Sequence, residues 1–575
     1  MNIIHAKEAL FIMRKTKVVL AKVLTAAMVI SSFAGVQGIT SEAAAKPKLS
    51  KKSVSITVGK TKKITVKNAK KYKVSWKMKS KKIASFKKSG KYAVKVTAKK
   101  AGKTTLTATI KKGKKTKKLV CKITVKKNSP KVTKTPVNTP TTSPSNVPKT
   151  TEVPTATATA EPQDTTPAMK EIFKGVIDNV GTCLTYNQTW NNRKEMQDAS
   201  TMKFVDKHFN SFTLENEMKP DNMLNKKTTI SVADAKAKGY VISDDYKEST
   251  VPELTLETID GVLAIAKQHN IRMRAHTLMW HQQTPTWFFK KNYDDNEAVV
   301  DEATMNARLE FFVRTVMRYT MQKEKELTGE VGSIVYAWDV LNEYIHRSNA
   351  AAATTWVSVY GDMGLKPTYV KAAFEYAYDE LKKENVQDKV TLFYNDYDTY
   401  FSVDDELALI SYINEGEKAK ICGGIGMQSH VDIKRPTLEE YGNALKAFIN
   451  AGLEVQITEL DITINFDTDD TDGRTPSYGY KNEKETDADQ AAFTKDFIKQ
   501  IVDIQKNRNE IISPKGITGI TVWGISDQTS WRGSCKPLFF TRKNVRVKDE
   551  TTGKYKTVYT YVPKKSYEAM IEALK

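Results

Sequence analysis

Residues 336–343 read YAWDVLNE, an apolar run that stops abruptly at an amide and a carboxyl, Asn342 and Glu343. A strand buried on both faces loses the usual polar alternation and shows polar groups only where its end opens into a site. Residues 454–461, EVQITELD, repeat this grammar and deliver Glu459 at a second strand end. Similar runs fall at 175–179, 211–215, 271–276, 390–395, 424–430 and 516–526, and the first run extends back to 334. Between them lie segments of helical period, such as Val370, Phe374, Ala377 and Leu381, or Tyr441, Leu445 and Phe448 ahead of Gly452. Eight such βα units predict a (β/α)8 TIM barrel, class α/β, over residues 168–575. Nearly every run ends in polar or aromatic residues: Glu215 and Asn216, His276, Asn342 and Glu343, Asn395 and Asp396, Gln428 and His430, Glu459 and Asp461, Trp523. In this architecture that end is the functional face, so two carboxylates are expected on one rim.

The rest of the chain differs in composition. The formal net charge is +25, but residues 46–127 hold about thirty lysines and no Asp or Glu, so the remainder is slightly acidic. The larger part has no basic stripe, and no nucleic-acid partner is expected. Residues 1–45 read as a secretory signal peptide: Arg14, Lys15 and Lys17, an apolar run broken by Lys22, then Ala43-Ala44-Ala45. The expectation is a secreted protein, cell-surface associated if its basic segment adheres, with no integral membrane segment once the signal is removed. Residues 128–167 are a Thr/Pro-rich linker with almost nothing large and apolar to bury. Cys121, Cys183, Cys422 and Cys535 show neither CxxC nor zinc-finger spacing and are expected to be mostly buried thiols, with pairing among the last three left open.

Within 46–127, β-branched runs at 54–58, 64–66, 74–76, 93–97, 104–110 and 119–125 predict a small all-β sandwich. The stretches VGKTKKITV, VSWKMKSKKIASF and KVTAKKAGKTTLTATI resemble bacterial immunoglobulin-like modules of the Big_2 type, with Trp76 on a core strand. Outward lysines on such a sandwich fit adhesion to an anionic cell-wall polymer or an acidic, glucuronate-bearing polysaccharide, and they fit a solvated spacer equally well.

The strand ends of the larger part, FTLENEMKP, RAHTLMWHQQTPTW, YAWDVLNE, LFYNDYD, GIGMQSH, VQITELD and ITVWGISDQTSWR, resemble in order those of glycoside hydrolase family 10, the endo-β-1,4-xylanases. The resemblance implies a retaining hydrolysis of xylan and xylo-oligosaccharides, with Glu343 as acid/base and Glu459 as nucleophile, and neither cofactor nor metal. It further implies that His430 hydrogen-bonds the nucleophile and that Asp461 backs the histidine. Trp280, Trp523 and Trp531 would stack on sugars, and Glu215, Asn216, Lys219, His276, Gln283 and Asn342 would bind their hydroxyls. Gln428 would lie near the reacting sugar, and Tyr394, Asn395 and Tyr397 would line the leaving-group side.

Chemistry asks for the same division of labour: an acid must stay protonated at working pH while a nucleophile must be ionised. Strand alternation places Glu459 and Asp461 on one face and excludes Thr458 and Leu460 from the site. Two alternatives stand beside this reading, a barrel acting mainly on cello-oligosaccharides and a non-catalytic polysaccharide-binding barrel. The acidic run 467–473, DTDDTDG, does not fit a calcium loop, because Thr468 takes the first ligand position and Gly479 the place of the bidentate glutamate. Residues 225–261 are long for the family and are expected to insert a loop over the site entrance, and 543–563 an added hairpin.

Overall fold

The computed structural model describes residues 47–126, apart from 52, 59, 70, 71, 113 and 114, and residues 164–575, apart from 189–192, 348–352, 466–484, 549–552 and 554. The expected signal, nearly all of the linker, and the acidic run 467–473 lie outside the described residues. Two compact units divide the chain, Met1–Thr150 and Thr151–Lys575.

The described residues of the first unit form eight strands: β1 (Lys48–Leu49), β2 (Ser53–Thr57), β3 (Thr61–Lys67), β4 (Lys73–Met78), β5 (Ala84–Lys88), β6 (Ala93–Ala98), β7 (Gly102–Lys112) and β8 (Lys115–Lys126). They form two four-stranded sheets, ordered β1-β3-β6-β5 and β2-β8-β7-β4. Alternation builds the shared core: Leu106, Ala108 and Ile110 of β7 are buried while Thr105, Thr107 and Thr109 are not. Ile64, Val94, Val96, Cys121 and Ile123 complete it from both sheets. Each large aliphatic side chain there contributes about 1.5–3 kcal/mol, against an ordering cost of about 1–2 kcal/mol for every residue. A core this small leaves little margin. Two strands escaped the sequence reading, β1 because it has two residues and β5 because its apolar signal is only Ala84 and Phe86 among lysines.

In the second unit β9 (Asn179–Leu184), β10 (Ser211–Leu214), β13 (Arg272–Trp280), β14 (Val335–Asn342), β15 (Thr391–Asp396), β16 (Gly424–Met427), β18 (Glu454–Thr463) and β19 (Ile517–Val522) pair in parallel. The pairings β16–β18, β18–β19 and β19–β9 close the ring into the expected barrel. A short strand, β17 (His430–Asp432), adds to the end of β18.

The first strand corrects the expectation of 175–179. That segment is a turn with Gly175 at φ +77°, and the strand begins at Asn179. Within its sequence, NVGTCL, position 181 is a glycine because neighbours press on it: a Cβ on Gly181 would come within 2.7 Å of Ser211 Oγ. The run 424–430 is likewise broken, with Ser429 at φ +62° between β16 and β17.

Residues 225–261 fold as a β11–β12 hairpin (Thr229–Ser231, Thr250–Pro252) with short helices. Their contacts include the outer helix Glu302–Thr328, with Tyr240 and Tyr246 each 5.9 Å from Phe311 and Glu248 paired with Arg308. The added hairpin is present as β20 (Phe540–Lys548) and β21 (Tyr555–Pro563); Tyr561 packs 4.3 Å from Phe204 on the helix Ala199–His208. All four cysteines are buried and free. No helix among the described residues is long and apolar enough to cross a membrane.

Candidate active site

Glu343 is the first residue beyond β14, and its backbone lies in the left-handed region at φ +57°, a conformation that costs an L-residue about 1–2 kcal/mol. Its amide is tied to Asn395 O at 2.8 Å. The turn directs a carboxyl that is only 8% exposed toward three donors. Trp280 Nε1 donates to Oε2 at 2.9 Å, Gln282 Nε2 to the same oxygen at 3.4 Å, and Gln428 Nε2 to Oε1 at 3.0 Å. Burial, and then the charge of Asp396, push the carboxyl up to about 7 against those donors.

Glu459 lies on β18, 6% exposed. Its Oε1 accepts from Asn395 Nδ2 at 3.0 Å and its Oε2 meets His430 Nε2 at 3.3 Å. The other ring nitrogen of His430 lies 2.8 Å from Asp461 Oδ2, and Asp461 is gripped in turn by Arg532 Nη1 and Trp531 Nε1, both at 3.1 Å. Burial alone would raise the Glu459 carboxyl. The hydrogen bond from His430 and the electrostatic pull of His276, His430 and Lys219 together outweigh it and hold the group at about 2. Burial would likewise lower His430, yet Asp461 and then Glu459 raise it to about 9, so the ring sits between two carboxylates as an imidazolium.

Three amides join the two carboxyls. Asn342 Oδ1 accepts from Gln428 Nε2 at 3.2 Å and from Asn395 Nδ2 at 2.9 Å, and these same donors reach Glu343 and Glu459. Thr458 Oγ1 fixes the middle of this ladder by donating to Asn395 Oδ1 at 2.6 Å. Thr458 was excluded by alternation, but the register of β18 against β19 shifts between Ile457 and Leu460, and a bulge re-aims side chains.

Other residues sit differently from their expected roles. Tyr394 and Asn395 are fully buried: the Tyr394 hydroxyl donates to Asp396, and Asn395 belongs to the ladder. Tyr397 is partly exposed and stacks on His346 at 4.1 Å. Trp280 is 7% exposed, with its indole edge on Glu343 and Lys219 Nζ 4.9 Å from its ring. Trp523 is 6% and Trp531 36% exposed, so Trp531 offers the most open indole face of the three. His276 is buried, its Nδ1 held 2.9 Å from Asp339 Oδ2. Glu215 Oε2 accepts from Arg193 Nη1 at 2.6 Å and Gln188 Nε2 at 2.9 Å. Asn216 Oδ1 lies 3.4 Å from Lys219 Nζ. Gln283 is exposed, φ +28°, and its carbonyl accepts from Asp221 N; the neighbouring Gln282 is the one that reaches Glu343.

Sequence reasoning missed Gln282, the Arg274–Asp339 pair that orients His276, and a buried group beside the acid. In that group His346 Nδ1 lies 2.8 Å from Asp396 Oδ1, and Glu406 is buried with Oε2 lacking a hydrogen-bond partner. Spacing could have pointed to His346, three residues past Glu343 and the only histidine on that loop. His346, Asp396 and Glu406 bring ligand atoms within 4.8 Å of one another and are the one such group among the described residues. The oxygens of Asp396 already accept from His346, Tyr394 and the amides of Ile345 and Tyr397, while burial and the Asp396 charge hold Glu406 well above the usual carboxylate range. These donors favour a shared proton over a cation.

The family model of glycosyl hydrolase family 10 matches residues 168–559. Endo-1,4-beta-xylanase A of Butyrivibrio fibrisolvens is 40% identical over 352 residues, covering 61% of this chain and 76% of that protein. Endo-1,4-beta-xylanase B of the same organism is 31% identical over 360 residues, 61% of this chain and 48% of its own length. Among solved structures, the CBM22-1 and GH10 modules of endo-1,4-beta-D-xylanase 10B of Clostridium thermocellum, complexed with xylohexaose, align at 27% identity with TM-score 0.50, covering 71% of this chain and 68% of that one.

Proposed function

The chain belongs to glycosyl hydrolase family 10, and from that premise we propose that it is an endo-1,4-β-xylanase cleaving internal bonds of xylan with retention at the anomeric carbon. The observation that carries this reading is the separation of two carboxyls on one rim, Glu343 pushed up to about 7 and Glu459 held at about 2. Between those values one is an acid and the other an anion, which is what acid-assisted glycoside hydrolysis requires, and retention follows the pattern of the family. Glu459 attacks the anomeric carbon, the glycosidic C–O bond breaks, and the Glu343 proton passes to the leaving oxygen. Glu343, now a carboxylate, takes a proton from water as that water displaces Glu459, and the site returns to its starting state. Asn342, fixed in the ladder, would bind a hydroxyl of the reacting sugar, and the open indole face of Trp531 would stack on a sugar ring.

Reducing-sugar release from xylan by the wild type and by Glu459→Ala tests the assignment: release by the wild type alone is expected, and equal release by both overturns it. A higher rate on cello-oligosaccharides than on xylan would favour the cellulose-directed alternative, and a β-configured first product seen by NMR is expected for retention. The signal-like residues 1–45 support a secreted enzyme, and detection of the chain in culture medium lacking those residues is the corresponding check.

A further inference from the structure

The outer face of sheet β1-β3-β6-β5 carries an arrangement that folding alone would avoid. Lys63 of β3 stands directly opposite Lys95 of β6, and Lys95 directly opposite Lys87 of β5, so three exposed ammonium groups form one row across three adjacent strands. Neighbouring strands are about 4.8 Å apart, and like charges placed opposite one another on a sheet destabilise it. Lys48 opposite Lys67, and Lys73 opposite Lys111, repeat the pattern elsewhere in the unit. Residues 46–127 contain no Asp or Glu to balance any of them. A solvated spacer needs net charge, but it does not need its lysines aligned.

Two residues along each strand, about 6.8 Å from the lysine row and on the same face, the register sets a second row, Thr61 opposite Thr97 and Thr97 opposite Ser85. The face therefore offers a line of cations beside a line of hydroxyls. A polymer bearing only closely spaced anions would use the first row, whereas a chain of sugar rings carrying carboxylates would use both. We propose that this face binds a carboxylate-bearing polysaccharide, the carboxylates pairing with Lys63, Lys87 and Lys95 and the ring hydroxyls with Thr61, Thr97 and Ser85. The proposal does not depend on the activity of the barrel.

The test uses the full chain and polygalacturonate, which has no xylan backbone for the barrel to hold, with its carboxyl-reduced neutral form and poly(glycerol phosphate) as comparison ligands. Titration at 50 mM salt is expected to show binding to polygalacturonate that falls at least tenfold at 200 mM salt, because exposed charges are screened within about 10 Å, and no binding to the reduced polymer. The triple variant Lys63→Gln, Lys87→Gln, Lys95→Gln should lose at least tenfold in affinity while melting at the same or a higher temperature, and the corresponding triple Arg variant should bind as the wild type does. Thr97→Val should weaken binding several-fold without changing its salt dependence. Equal affinity for the reduced polymer, undiminished binding by the Gln variant, or tighter binding of poly(glycerol phosphate) than of polygalacturonate would overturn the proposal.

Discussion

The barrel and the lysine-rich sandwich are both β-frameworks, but they treat charge in opposite ways. Inside the barrel, Asp339 is held by Arg274, Asp461 by His430, Trp531 and Arg532, and Glu215 by Arg193 and Gln188. Low dielectric makes each such pairing strong, and the pairings decide which groups carry protons. On the sandwich, cations oppose cations at the surface, where water screens them, and residues 46–127 contain no acid. Inward charge sets protonation in the barrel; outward charge on the sandwich is left to meet something outside it. Buried networks should therefore respond to mutation through pH profiles, and the exposed rows through salt.

The largest effect tests the barrel side. Glu459→Ala removes the anion, and kcat on xylan should fall by about ten-thousandfold or more with no change in melting beyond a few degrees. Next, His430→Asn removes the partner that does most to hold Glu459 down against burial, so the acidic limb of the kcat/KM profile should move up from near pH 2. A profile that stays in place would show that His430 does not govern the nucleophile.

A smaller shift is expected from Asp396→Asn, whose lost charge lowers the Glu343 pKa from about 7. Because the acid must be protonated to act, the basic limb should move to lower pH, with activity at pH 7 falling while activity at pH 5 changes little. The same raised pKa has a stability sign. The folded chain keeps a proton that the unfolded chain releases near 4.5, so the stabilisation is complete below pH 4.5 and is lost as pH rises through about 7. Glu343→Gln should accordingly narrow the difference in melting temperature between pH 5 and pH 8. The smallest effect belongs to the sandwich: Lys95→Gln, relieving two opposed cations, should stabilise that unit by about 0.2–1 kcal/mol at low salt, a gain that disappears at high salt.

Much of the barrel was legible because strands buried on both faces are continuous apolar runs with polar ends, as YAWDVLNE and EVQITELD are. The first strand was not, because in NVGTCL the β-branched Val180 and Thr182 are split by Gly181, where a Cβ would press on Ser211 and Thr521, whereas the preceding Val176-Ile177 pair carries the stronger signal. At the site, motifs identified which residues gather but not where they aim. Tyr394 and Asn395 occupy successive positions in LFYND, yet one anchors Asp396 and the other links two carboxyls, a difference set by neighbours on other strands. Thr458 joined the ladder because a bulge overrode the period of two, and Gln282 reached the acid in place of Gln283 because a non-helical turn at φ +28° follows it. Such local breaks in period come from tertiary packing and leave no mark in composition.

The amide ladder has one more consequence. Whether a glycosidase inverts or retains depends on how far apart its carboxyls stand, since a nucleophile needs contact and an inverting base needs room for water. Here that interval is spanned by Gln428, Asn342 and Asn395, hydrogen-bonded end to end and braced by Thr458. The spacing of the two glutamates is thus tied to the reach of the amides hydrogen-bonded between them. Shortening or lengthening any one of these three side chains would change the span that the two carboxyls face across.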